Sequence, residues 1–151
     1  MEPDVVVSRA IAASPEAVFA ALTDITRMGE WSPETVRAEW KDGATEAAVG
    51  AVFTGHNRNG DKEWSIDAEI VELVPNERFF FDCSVRGYVF SKWGYAIEAA
   101  DGGCVVTEST QDLRPPESLE RSAQISGVSD RLSHNRAGME QTLARLAAAL
   151  E

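Results

Sequence analysis

Ser129-Asp130-Arg131-Leu132-Ser133-His134-Asn135-Arg136-Ala137-Gly138-Met139-Glu140-Gln141-Thr142-Leu143-Ala144-Arg145-Leu146-Ala147-Ala148-Ala149-Leu150 is the stretch on which the fold turns. Placed at 100° per residue, Leu132, Met139, Leu143, Leu146 and Leu150, with Val128 just ahead of them, fall within one narrow arc, the pattern of an amphipathic helix. Ser129 reads as its N-cap, with Asp130 in the first turn, where a negative charge meets the positive end of the helix dipole. Such a helix is about 33 Å long, enough to cross a small domain. Its apolar face has to be covered by whatever precedes it.

What precedes it is mostly strand. Val5, Val6, Val7 and Ile11 suit a first strand within Asp4 to Ala12. The period then changes: Ser14-Pro15-Glu16 is a helix start with a capping serine, proline at the first helical position and an acid in the first turn. Val18, Phe19, Leu22 and Ile25 follow at helical spacing, and Asp24 offers a second cap, so two short helices are expected before the Trp31-Ser32-Pro33 corner. Six strands are then expected: Val36 to Trp40, Val49 to Asn57, Trp64 to Val74, Arg78 to Val85, Ser91 to Ala99 and Cys104 to Leu113. Asn59-Gly60 and Asp101-Gly102-Gly103 punctuate them as hairpin turns. Pro115-Pro116 stops the last strand, and 116–127 reads as a helical turn or a loop. A meander with one apolar face and a long helix with an apolar stripe combine when the sheet curls around the helix. The fold class is thus α+β.

The totals fit one domain with its own core: 151 residues, 44% hydrophobic and 26% charged. A formal net charge of -11 repels phosphate backbones and anionic membrane surfaces, so nucleic acid is not an expected partner. No apolar run approaches the length of a membrane span, and the acidic Met1-Glu2-Pro3-Asp4 start lacks the bases of a signal peptide. A cytoplasmic location is expected. Cys83 and Cys104 lack metal-knuckle spacing; with His56 and His134 they include no close ligand pair, so neither a metal nor any other cofactor is expected.

Period two identifies the inward rows: Trp64, Ile66, Ala68 and Ile70; Phe79, Phe81 and Cys83; Trp93, Tyr95 and Ile97. The runs Ala13-Ser14-Pro15-Glu16-Ala17-Val18-Phe19, Leu22-Thr23-Asp24 and Trp31-Ser32-Pro33-Glu34 resemble the opening of the START-related, polyketide cyclase/dehydrase and birch-pollen-allergen-like superfamily, abbreviated SRPBCC. Val49-Gly50, Gly55-His56-Asn57-Arg58, Trp93-Gly94-Tyr95, Asp101-Gly102-Gly103 with Thr107-Glu108-Ser109, and His134-Asn135-Arg136-Ala137-Gly138-Met139 resemble a bacterial branch of it. The resemblance spans the chain as one domain, 1–151, and rests on the succession of motifs rather than on any one of them. It implies a helix-grip fold, a seven-stranded antiparallel sheet around the C-terminal helix with a hydrophobic cavity between them. It also implies one of three functions: binding or transport of a small apolar molecule such as a lipid or polyketide, cyclase, aromatase or dehydratase chemistry without a metal, or co-chaperone-like interaction. Fold alone does not choose among these.

Trp64, Phe81, Trp93 and Tyr95 are candidates for a ligand-facing wall, although an inward row packed as plain core has the same alternation. The helix contributes Asn135, about 40° from the stripe centre, with Met139 and Thr142; a covered amide needs partners, which are either loop backbone or ligand. Its C-terminal half, Leu143, Leu146 and Leu150, is aliphatic and reads as an anchor. His134, on the far side of the stripe, reads as solvent-facing. By the resemblance, Trp31 lies near a cavity mouth; by its size it also suits a plug between the short helices and the sheet. Catalysis would fall to His56, Tyr95 and Glu108. His56 faces outward in a regular strand and inward only across a bulge at Gly55. Both registers of Cys104 to Gln111 are open, so Glu108 is either solvated or an inward acid, alone or paired with Arg58 or Arg86.

Overall fold

The computed structural model describes residues 1–151. The β-branched N-terminal run forms β1 (Val5–Ile11), followed by α1 (Pro15–Thr23), a 3-10 turn (Ile25–Arg27) and α2 (Met28–Trp31). Six strands follow: β2 (Thr35–Lys41), β3 (Val52–Asn59), β4 (Lys62–Val74), β5 (Arg78–Val85), β6 (Tyr88–Ala100) and β7 (Gly103–Asp112). A 3-10 turn (Pro116–Ser118), α3 (Leu119–Ser126) and α4 (Arg131–Leu150) complete the chain. All strands pair antiparallel in one seven-stranded sheet of order β1-β7-β6-β5-β4-β3-β2. This is the helix-grip arrangement, with the first strand carried across to pair with the last.

Local chemistry explains the joints. Ser14 caps α1, its Oγ accepting from Ala17 N at 3.1 Å, and Pro15 opens the helix. Gly29 lets α2 close onto β2: a Cβ there would stand 2.3 Å from the Val36 carbonyl oxygen. The β5–β6 connection is tighter than the sequence suggests. Arg86 and Gly87 both take positive φ, 53° and 79°, which makes a two-residue turn matched to strand twist, so β6 begins at Tyr88 rather than at Ser91.

The long helix departs from expectation in two places. Asp130 is its N-cap, accepting from Ser133 N at 3.2 Å, and Ser129 lies outside it. Leu132 is 43% exposed, because periodicity gives the direction of a stripe and not how far along the axis its cover extends. Further on the stripe is buried, from Asn135 and Met139 through Thr142, Leu143 and Leu146 to Ala147. The core gathers at the C-terminal half of α4, where Leu143, Leu146 and Ala147 pack with Val18, Leu22, Ile70, Phe79, Ile97 and Val106.

Candidate functional site

At the other half of α4 the sheet and helix part, leaving a cavity of about 640 Å³. Alternation along the strands decides what faces it. Trp64 and Ala68 come from β4, Phe81 and Cys83 from β5, Trp93 and Tyr95 from β6, and Glu108 and Thr110 from β7, while Asn135, Met139 and Thr142 close the helix side. The seven residues expected as a ligand wall, Trp64, Phe81, Trp93, Tyr95, Asn135, Met139 and Thr142, therefore lie around one space.

The inner end holds an unusual acid. The β7 register turns Cys104, Val106, Glu108 and Thr110 inward, and Glu108 stands directly across from Tyr95 on β6 and Val7 on β1. Glu108 is only 4% exposed, and its Oε1 has no hydrogen-bond partner. Burial pushes this carboxyl up to about 8, the Tyr95 hydroxyl acting in the opposite sense. Tyr95 is itself held well above the ordinary phenol range, by burial first and then by the neighbouring carboxyl. At neutral pH the pair is thus a carboxylic acid beside a phenol, both able to donate. Neither Arg58 nor Arg86 pairs with Glu108. Cys83, nearby in the wall, is pushed up to about 12 by burial, against a hydrogen bond from Ser91, so it packs as an inert thiol.

The mouth is polar and tied across elements. Arg131 Nη1 donates to both Glu34 oxygens at 2.9 Å and to Asn135 Oδ1 at 3.3 Å, and its guanidinium lies 6.0 Å from the Trp64 ring. His134 Nε2 shares the same carboxylate at 3.1 Å. The partner of the Asn135 amide is therefore a side chain one turn away, and His134 is engaged rather than free in solvent. Over the opening lies α3, with Ser118 before it and Ser122, Ile125 and Ser126 on its inner side. Asn59 Nδ2 donates to Ser126 O at 2.9 Å, hooking the end of α3 to the β3–β4 hairpin.

Two expected site residues lie elsewhere. Trp31 is 2% exposed within the core, and Arg27 covers its ring at 4.8 Å; it plugs the joint between α2 and the sheet, and Met28 is the residue of α2 that reaches the cavity. His56 faces the outer side of the sheet, bonded to Ser65 Oγ and Glu39 Oε1, each at 2.8 Å. The pairing of β3 with β4 runs without a bulge from Val52 to Asn59, so Phe53, Gly55 and Asn57 point inward and His56 cannot. Arg131, Glu34 and the whole of α3 were not anticipated at the site. Glu34 alone carried a signal, as the residue closing the Trp31-Ser32-Pro33-Glu34 corner.

A curved seven-stranded sheet gripping a C-terminal helix around an apolar cavity defines the class. The chain belongs to the polyketide cyclase / dehydrase and lipid transport family, whose model matches residues 2–151. Among solved structures it is similar to a polyketide-cyclase-like protein of Corynebacterium glutamicum, at 28% identity and a TM-score of 0.61 over 97% of this chain and 90% of that one. A protein from Chromobacterium violaceum superposes with a TM-score of 0.71 at 19% identity, covering 97% and 96% of the two chains. The di-domain ARO/CYC StfQ from the steffimycin biosynthetic pathway gives 0.74 at 12% identity, 97% of this chain matching 49% of that one. No curated protein sequence matches the chain.

Proposed function

We propose that the protein binds a small, largely apolar molecule between its sheet and α4, as a carrier or sensor. The observation that carries this reading is the cavity of about 640 Å³ with Trp64, Phe81 and Trp93 in its wall, a volume and lining of the kind that encloses a lipid-like or polyketide-like molecule. The aliphatic half of α4 packs on the sheet beyond the cavity, and α3 lies along the cavity's edge. Purification under native conditions, organic extraction and mass spectrometry should recover a stoichiometric apolar molecule from the wild-type protein. Recovery should fall when Met139→Trp fills the wall. An extract with no bound molecule, together with no quenching of tryptophan fluorescence by any apolar probe, would defeat the reading.

The pairing of Glu108 with Tyr95 across β6 and β7 favours a second reading, proton transfer to a bound substrate in the manner of a cyclase or dehydratase. It would be tested by turnover of poly-β-ketone analogues, with loss of at least about a hundredfold in Glu108→Gln.

A further inference from the structure

We propose that the carboxyl of Glu108 donates a hydrogen bond to a carbonyl oxygen carried at the leading end of the bound apolar molecule, so that the cavity selects ketones and enones over hydrocarbons and amines of the same shape. This rests on the cavity-binding reading above and adds the chemistry of the ligand's inner end. A buried polar atom without a partner is rare and costly, and Glu108 Oε1 is such an atom in the wall of a space large enough for a ligand. The other polar groups nearby are already committed. Thr110 Oγ1 donates to Lys92 O at 2.9 Å, and Ser91 Oγ accepts from Trp93 Nε1 at 3.2 Å. Thr142 Oγ1 donates to Gly138 O at 2.8 Å. What remains free at the inner end is the acid itself: the Tyr95 hydroxyl is engaged with the Glu108 carboxyl, and Oε1 alone is left without a partner.

The protonation of Glu108 agrees with this use. Burial, which pushes the carboxyl up to about 8, keeps the acid mostly neutral at neutral pH, and a neutral carboxyl offers one O–H where a carboxylate offers none. An ammonium group at the inner end would meet one buried carboxylate and few other acceptors, and a buried ion pair so poorly supported seldom repays its desolvation. An anionic head would meet no cation at this end, because Arg131, paired with Glu34, Arg114, paired with Asp112, and the exposed, unpaired Arg58 all lie at the mouth. A carbonyl matches the donor with an acceptor and costs far less to desolvate than either ion.

The test uses three tricyclic probes of nearly equal shape, 9-fluorenone, fluorene and 9-aminofluorene, titrated against the whole protein by quenching of tryptophan fluorescence, Trp64 and Trp93 being the two of its four tryptophans that line the cavity. At pH 6.5 the wild type should bind fluorenone about five- to tenfold more tightly than fluorene, and at pH 9.5 the preference should vanish. Glu108→Gln keeps an N–H donor and should retain the preference at both pH values. Glu108→Leu should lose it at both while still binding fluorene, with a cooperative thermal melt showing that it is folded. The other titratable or charged groups facing the cavity are Cys83 from β5, Tyr88 and Tyr95 from β6, Asp112 with Arg114 from β7 and its exit, Arg131 and His134 from α4, and Glu34 and Arg58 at the mouth. All are present in Glu108→Gln, so a pH effect of theirs would persist there. Equal binding of fluorenone and fluorene by the wild type at pH 6.5 would overturn the proposal and leave cavity binding standing, as would a ketone preference that survives Glu108→Leu, or tighter binding of the amine. Failure of all three probes to bind would overturn both.

Discussion

Glu108 is an acid that the fold holds neutral, and that choice has a cost measurable without any ligand. An ordinary glutamate near 4.5 that rises to about 8 on folding binds more protons in the native than in the unfolded chain between those values. Stability therefore falls as pH rises through this window and levels off above it. Replacing the acid by its neutral isostere removes the penalty. Glu108→Gln should match the wild type near pH 4.5 and exceed it by a widening margin toward pH 8, reaching on the order of a few kcal/mol, read from urea midpoints across the range. A margin that does not change with pH would show that burial does not shift this carboxyl. The same residue marks a limit of reading from sequence. Along β7 the rows Cys104, Val106, Glu108, Thr110 and Val105, Thr107, Ser109, Gln111 are comparably mixed, so the pattern left both registers open, and it is the pairing with β6 and β1 that turns Glu108 inward. His56 was decided by regularity: without a bulge at Gly55 its face follows from counting.

At the scale of elements, α4 does two jobs along one stripe. Leu146 has no exposed surface and sits in the core, whereas Met139, equally covered, borders the cavity. Leu146→Asp should abolish folding by burying an unpaired charge, and Leu146→Ala should cost about 2–5 kcal/mol. Met139→Ala should cost less, because space beside it already exists, and should weaken fluorenone binding instead. Equal losses of stability from both alanine variants would mean that the helix is packed as core along its whole length. This division was legible in the sequence, since the change from Asn135, Met139 and Thr142 to Leu143 and Leu146 is a change of chemistry. The helix α3 was not legible: it has only eight residues, and Leu119 and Ile125 remain 43% and 49% exposed, so no buried stripe distinguished it from a loop. Gly29 shows a contact that no pattern predicts. Gly29→Ala would drive a methyl group into the Val36 carbonyl and should destabilise by about 1–3 kcal/mol, seen as a lower urea midpoint without loss of the probe preference.

For the whole molecule, packing and vacancy are divided between the two halves of one grip. The aliphatic half of α4 with Phe79, Ile70 and Val106 forms a continuous core, and none of these residues borders the cavity. The open half is lined by aromatic and polar groups whose contacts are incomplete until something enters. A molecule that binds only the folded state stabilises it by mass action, about 2.7 kcal/mol at a hundred times its Kd. For a chain of 151 residues this should raise Tm by about 5–10 °C. Fluorenone at that excess should produce such a rise in the wild type and in Glu108→Gln at pH 6.5. In Glu108→Leu, at the same absolute concentration, the rise should shrink in step with the weaker Kd. Quenching without any rise in Tm would place the probe on surface that the unfolded chain offers equally well, and the aromatic wall would then be core that happens to be loosely packed. A rise that follows the Kd through all three proteins would tie the occupied cavity, and the acid at its inner end, to the stability of the grip itself.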